Sequence, residues 1–157
     1  VVAGVAKEFP QVEYRKYHVD AMAARMITHP QTLDVIVASN LFGDILTDIG
    51  SAISGSLGVA PGGNINPDRT APSMFEPIHG SAPDIAGKGI ANPIAAIWAG
   101  AMMLDHLGER AAHDNILRAI ERVIGDASVR TPDLGGRATT AEMTKAVATA
   151  LKAAKVS

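Results

Sequence analysis

The sequence predicts an α/β protein with helices packed on a mixed sheet, and three observations carry the prediction. Leu33-Asp34-Val35-Ile36-Val37-Ala38 is a short β-branched run of the kind buried on both faces of a sheet. Stretches of helical length with apolar stripes follow it. Between them lie segments so rich in Gly, Pro and Asn that they read as ordered loops.

The composition sets bounds. A chain of 157 residues, 47% hydrophobic and 19% charged, can bury one sizeable core, in one domain or in parts of two. A net charge of −2 with no run of Lys or Arg offers no footprint for nucleic acid or an anionic membrane surface. Small molecules are the expected partners. With no cysteine, disulfides, thiolate metal sites and thiol catalysis are excluded, and any metal must be held by oxygen or imidazole. No apolar run reaches the ~18 residues of a membrane span, and no basic-then-apolar leader opens the chain, so a soluble, cytoplasmic protein is expected. The first residues, Val1 to Lys7, lack an initiator Met and read as a helix already under way to Phe9-Pro10, as in a chain cut from a larger protein.

Val12 to Val19 alternates loosely, like a strand. Val19 to His29 reads as a helix stopped by Pro30, which disfavours a helical residue before it and leaves Asp20 near the helix start. After the run at 33–38, Ser39-Asn40 forms a turn or cap, and a helix from about Leu41 to Ser54 is expected. Gly55 to Ser73 is a long ordered loop, Met74 to Ile78 a short strand, and His79 to Ala91 a second Gly-rich loop. Asn92-Pro93 then starts a helix with a capping residue and Pro at the first position. That helix is apolar nearly all round to Leu107, which predicts burial, with Trp98, Met102 and Met103 as core. Glu109 to Ile124 is amphipathic, with Ile116, Ile120, Val123 and Ile124 on one stripe and Gly125 at its end. The last helix opens on Thr139-Thr140-Ala141-Glu142, a capping-box spacing, and runs to about Ala154.

Two segments carry chemistry. In Asn40-Leu41-Phe42-Gly43-Asp44-Ile45-Leu46-Thr47-Asp48-Ile49, two carboxylates fall four residues apart on one helix face. Held that close they repel, and a hard divalent cation relieves the repulsion; the reading points both into a cleft. On spacing alone, Asp44 as a helix cap and Asp48 as an ordinary exposed residue is the favoured alternative. The second segment runs from Phe75 to Pro93. Its glycines permit close backbone approach to a ligand, but the chain has no G-x-G-x-x-G, so a nucleotide site here is not of the Rossmann kind, and a plain connection stands as the alternative. His18 reads as a partly exposed strand end, and His29, His106 and His113 as surface. Asp133, in Thr131-Pro132-Asp133-Leu134-Gly135-Gly136, reads as a plain turn residue, with a place at the edge of a nucleotide's adenine pocket as the alternative.

The combination is more specific than its parts. "VDAMA", "SNLFGDILTDI" and "FEPIHGSAPDIAGKGIANP" stand here in that order, and the chain thereby resembles the β-decarboxylating dehydrogenases, the isopropylmalate, isocitrate, and tartrate or D-malate dehydrogenases. "NINPDRTAPSMFEP" and "NPIAAIWAGAMMLDHLGE" are most similar to the tartrate or D-malate branch. The resemblance covers the chain but only the C-terminal half of a family member. It implies the isopropylmalate dehydrogenase-like fold with the N-terminal half missing, residues 1–55 as part of the small, dimer-forming, metal-binding domain, and 56–157 as the C-terminal part of the large, cofactor-binding domain.

By the same resemblance, Asp20, Asp44 and Asp48 are metal ligands for Mg²⁺ or Mn²⁺, with Asp20 reaching the neighbouring subunit's site, so that a homodimer is implied. His79, Gly80, Ser81, Ala82, Asp84, Ile90 and Asn92 form the cofactor loop. A carboxylate at Asp84 suits the ribose 2′-hydroxyl of NAD and repels the 2′-phosphate of NADP, whose users carry Lys-Tyr where this chain has Asp84-Ile85. The implied reaction is oxidation and decarboxylation of a malate-type 2-hydroxy acid. The family's general-base lysine, general-acid tyrosine and substrate-gripping arginines find no match between Val1 and Tyr17, so the chain alone is expected to be inactive. A non-catalytic nucleotide-binding regulatory subunit, or an inactive truncation fragment, is the competing expectation.

Overall fold

The computed structural model describes residues 1–154. The chain divides into two compact units, Val1–Gly50 and the residues from Ser51 onward.

The first unit is helical. α1 (Val2–Val5) runs into a 3-10 turn at Ala6–Glu8, and α2 (Val19–Thr28) ends before Pro30. α3 (Asn40–Ile53) carries the paired aspartates. Met26 and Leu46 are the buried apolar residues here, and an ideal Cβ on Gly50 would lie 3.3 Å from the Met26 methyl, which is how closely α2 and α3 pack. The Arg25 guanidinium lies over the Tyr17 ring, 5.5 Å from its centroid.

Two expected strands do not form in this unit: 12–18 and 33–39 have neither ladder nor helix. Val35 is 86% and Val37 71% exposed, although both are residues that favour a sheet interior. β propensity is the ability to pack on a neighbouring strand, and among the described residues no strand pairs with this run. The sheet is therefore a single antiparallel pair rather than mixed.

That pair lies in the second unit. β1 (Pro61–Asn64) pairs with β2 (Met74–Pro77), with Gly62 opposite Glu76 and Gly63 opposite Phe75. β1 falls in the segment expected to be loop throughout. Its Pro sits at the strand's first residue, where no donor is missed. A Cβ on Gly62 would come within 2.8 Å of the Ile78 Cγ2, and one on Gly63 within 3.1 Å of the Phe75 ring. Glycine thus serves close approach here, not only a turn.

α4 (Ile94–His106), α5 (Arg110–Gly125) and α6 (Thr140–Ala154) build the core. Ile94, Ala119, Ile120, Val123, Met143 and Val147 are its buried centre, with Trp98, Ile116, Ile124 and Leu134 packed around them. α4 is less enclosed than its composition suggests: Ile94, Ala95, Ala99 and Ala101 are buried, but Met103 and Leu107 are exposed. The capping box closes in both directions. The Thr139 amide donates to Glu142 Oε2 at 2.7 Å, and the Glu142 amide donates to Thr139 Oγ1 at 3.2 Å. No helix among the described residues is long and apolar enough to cross a membrane.

Candidate functional site

The carboxylates of the first unit sit on its helices. Asp20 is exposed at the second residue of α2, and its Oδ1 accepts from the Ala21 amide at 2.8 Å. Asp44 and Asp48 are exposed one turn apart on α3. Asp44 is the fifth residue of that helix and does not cap it; its Oδ2 accepts from Asn40 Nδ2 at 3.1 Å. A groove of about 900 Å³ in this unit is lined by Asp20 together with Val35, Val37, Phe42 and Leu46, but not by Asp44 or Asp48. The helical repeat accounts for this, since residues 44 and 48 lie two positions, about 200°, beyond Phe42 and Leu46. Among the described residues no three His, Asp or Glu side chains converge to hold a metal ion. What one copy of the chain offers is two exposed carboxylates one turn apart on α3, Asp44 and Asp48. Acceptor-only carboxylates of this kind suit a hard cation, which needs further oxygens from elsewhere.

The second site is the loop between β2 and α4. His79 is half-buried, with Nδ1 3.0 Å from the Gly80 carbonyl. Gly80, Ser81 and Asp84 are exposed, Ala82 adopts a left-handed φ of 43°, and Gly87 and Gly89 have φ of 75° and 65°. Two glycines and a small residue therefore take backbone conformations that larger side chains resist. Ile90 is half-buried. Asn92 is only 8% exposed, and both its oxygen and its nitrogen are engaged: Oδ1 accepts from the Ile94 amide at 2.9 Å, and Nδ2 donates to Asp133 Oδ2 at 2.9 Å. The helix starts one residue later than expected, with Pro93 rather than Asn92 at its N-cap position, but the Asn92 side chain still holds the first helical amide, that of Ile94, and its own amide group is held within the fold.

Two residues matter here more than the sequence suggests. Thr140, first in α6, donates from its amide to the Gly89 carbonyl at 2.8 Å and from its hydroxyl to the Ala91 carbonyl at 2.6 Å. Asp133 accepts from Ser56 Oγ at 2.5 Å, Thr131 Oγ1 at 2.5 Å and Asn92 Nδ2 at 2.9 Å. Burial pushes its carboxyl up, but the hydrogen bonds from Ser56, Thr131 and Asn92 outweigh that and hold it below the ordinary value. The Thr-Pro-Asp turn was a local signal; its distant partners were not readable. His106 and His113 depart from the surface expectation, both being half-buried, His106 against the Phe75 ring and His113 beside Asp114.

The family model for isocitrate/isopropylmalate dehydrogenase matches residues 1–147. The chain belongs to that family. It is 56% identical over 156 residues to a probable tartrate dehydrogenase/decarboxylase of Agrobacterium vitis, covering 99% of this chain and 43% of the relative. It is 54% identical over 151 residues to the decarboxylating D-malate dehydrogenase of Escherichia coli K12, covering 93% of this chain and 42% of the relative. Among solved structures, the isocitrate dehydrogenase of Methylococcus capsulatus superposes with a TM-score of 0.90 at 47% identity over 95% of this chain and 44% of its own. The chain thus spans under half the length of the relatives it matches, and the resemblance to the tartrate and D-malate enzymes holds over nearly all of it.

Proposed function

We propose that the chain is the C-terminal part of an enzyme that oxidises and decarboxylates a malate-type 2-hydroxy acid, with NAD as hydride acceptor and a divalent cation. D-Malate or tartrate is the first-choice substrate, followed by 3-isopropylmalate. The observation that carries this is the kinship at 56% and 54% identity with relatives named for tartrate and D-malate decarboxylation, in a chain that keeps both chemistry-bearing segments. For D-malate, the α-hydrogen leaves as hydride to NAD⁺ and the β-carboxylate leaves as CO₂, giving pyruvate and NADH.

The residues support distinct tasks. Asp44 and Asp48 would hold Mg²⁺ or Mn²⁺, with Asp20 of a second copy completing the set, so the active form is a homodimer built through residues 1–55. When bound, the cation supplies Lewis-acid stabilisation of charge on the substrate's oxygens. In the loop of residues 56–157, His79, Gly80, Ser81, Ala82 and Ile90 offer backbone and small side chains to the nucleotide, and Asn92 fixes the loop's end. Asp84 is exposed; its carboxylate would accept from a ribose 2′-hydroxyl, whereas a 2′-phosphate there would meet like charge. The proton-transferring lysine and tyrosine lie on the part of the enzyme outside this chain, which by itself binds without turnover.

Calorimetric titration of the 157-residue chain with NAD⁺ and, separately, NADP⁺, each with and without Mn²⁺ and D-malate, tests the proposal. Saturable NAD⁺ binding, with NADP⁺ weaker by about tenfold or more, is expected from one unfavourable charge contact. Preference for NADP⁺ would sink the role given to Asp84.

A further inference from the structure

We propose that Asp133, outside the nucleotide loop, is the positioning residue that fixes the loop's closing end through Asn92, so that nucleotide affinity depends on a carboxylate 41 residues further along the chain. This rests on the reading of residues 79–92 as the nucleotide site. Among the described residues, the hydrogen bonds inside the loop are local, such as Ile85 amide to Ala82 carbonyl at 3.0 Å and Lys88 amide to Ile85 carbonyl at 3.1 Å. Its hydrogen bonds to distant parts of the chain gather at the closing end, from Thr140 to Gly89 and Ala91, and between Asn92 and Asp133.

The orientation of Asn92 is dictated by its partners. The Ile94 amide needs an acceptor, which places Oδ1 there and turns Nδ2 towards Asp133, where only an acceptor will serve. Asp133 also gathers Ser56, whose hydroxyl oxygen accepts from the Gly58 amide at 2.9 Å, and Thr131, which is 0% exposed and has the Met143 sulfur, 3.7 Å away, as its second acceptor among the described residues. Three donors from three segments therefore converge on one carboxylate. Removing it takes the shared acceptor from all three at once. Asp133 itself is exposed, so water can enter the space it leaves, but with the carboxylate in place Thr131 is 0% and Asn92 8% exposed and both depend on it for an acceptor.

The test uses the full 157-residue chain with Asp133→Ala and Asp133→Asn, measuring amide hydrogen exchange and NAD⁺ titration in parallel. Asp133→Ala is expected to speed exchange at Asn92 and Ile94 at least tenfold relative to Ile120 and Val123 of the core, and to weaken NAD⁺ binding at least tenfold. Asp133→Asn keeps one acceptor oxygen and should fall between the two in both readouts. Unchanged exchange at Asn92 and Ile94, or faster exchange with unchanged NAD⁺ affinity, overturns the proposal. If Asp133→Ala fails to fold, the same two readouts on Asp133→Asn decide the matter, with no change in either as the overturning result. Failure of the unmutated chain to bind NAD⁺ overturns the nucleotide reading instead, while exchange still decides the anchoring.

Discussion

Replacing Gly136 with Ala should destabilise the second unit far more than the same substitution two helices or one residue away. A Cβ at Gly136 would lie 1.9 Å from the Arg130 carbonyl oxygen and 2.5 Å from its carbon, where real Cβ atoms do not approach within 3.0 Å. The obstacle is backbone and cannot rotate aside. It is also pinned, since the Arg130 carbonyl accepts from the Ala138 amide at 2.9 Å, and the Gly136 amide donates to the Thr131 carbonyl at 3.0 Å. Relief requires a shift of about 1 Å in a close-packed region, costing roughly 1–3 kcal/mol of overpacking and two hydrogen bonds at about 1 kcal/mol each. The sum, about 3–5 kcal/mol, lowers Tm by roughly 12 °C or more for a unit of this size. Two controls calibrate the reasoning. Gly135 has φ of 76° but open space around it, so Gly135→Ala should cost only about 1–2 kcal/mol. Gly100 lies inside α4 with nothing near its missing Cβ, so Gly100→Ala should stabilise by about 0.5–1 kcal/mol. Thermal unfolding followed by circular dichroism should rank them Gly100→Ala, unmutated chain, Gly135→Ala, Gly136→Ala. A Tm for Gly136→Ala within about 2 °C of the unmutated chain would refute the packing argument.

Other outcomes follow from the same geometry. Thr139→Ala should cost about 1 kcal/mol, and a double-mutant cycle with Glu142→Ala should show coupling between the two; strict additivity would deny the reciprocal cap. Hydrogen bonds from the Ser128 side chain and amide hold Asp126 below its ordinary pKa, and those from the Thr139 amide and hydroxyl do so for Glu142. With Asp133 these depressed carboxyls contribute stability that is present above the unfolded-state values near pH 4 and is lost as pH falls through the lower folded values. Tm should therefore fall chiefly below about pH 4, and a fall already complete by about pH 5 would reverse the sign. For the cation, Asp20→Asn and Asp44→Asn should each abolish Mn²⁺ binding read by electron paramagnetic resonance, while a mixture of the two should regain part of it through hybrid dimers. Undiminished binding by Asp20→Asn would remove Asp20 from the set.

Helices were the legible part of the fold, because their signals are local. Pro30 ends α2, Asn92 holds the Ile94 amide, and Thr139 with Glu142 opens α6, each within four residues of the signal. Strands were legible only in part, because a strand is defined by its neighbour: the one expected at Met74 to Ile78 forms as β2 (Met74–Pro77), and the others do not. The β-branched run at Val35 and Val37 has no partner strand among the described residues, whereas Pro61-Gly62-Gly63-Asn64, poor in every strand-favouring residue, pairs because β2 lies alongside. The same divide governs the sites. The i, i+4 aspartates and the glycine-rich loop show in the sequence. The convergence of Ser56, Asn92 and Thr131 on Asp133 spans up to 77 positions and exists only once the chain has folded.

The most direct test of the nucleotide site is an NMR titration of the ¹⁵N-labelled 157-residue chain with NAD⁺. The amide signals of residues 79–92, with Asp84 and its neighbours foremost, are expected to shift saturably, while core amides such as Ile120 and Val147 stay in place. Shifts confined to other parts of the chain, or none in a folded sample at millimolar NAD⁺, would contradict the assignment of this loop to the cofactor.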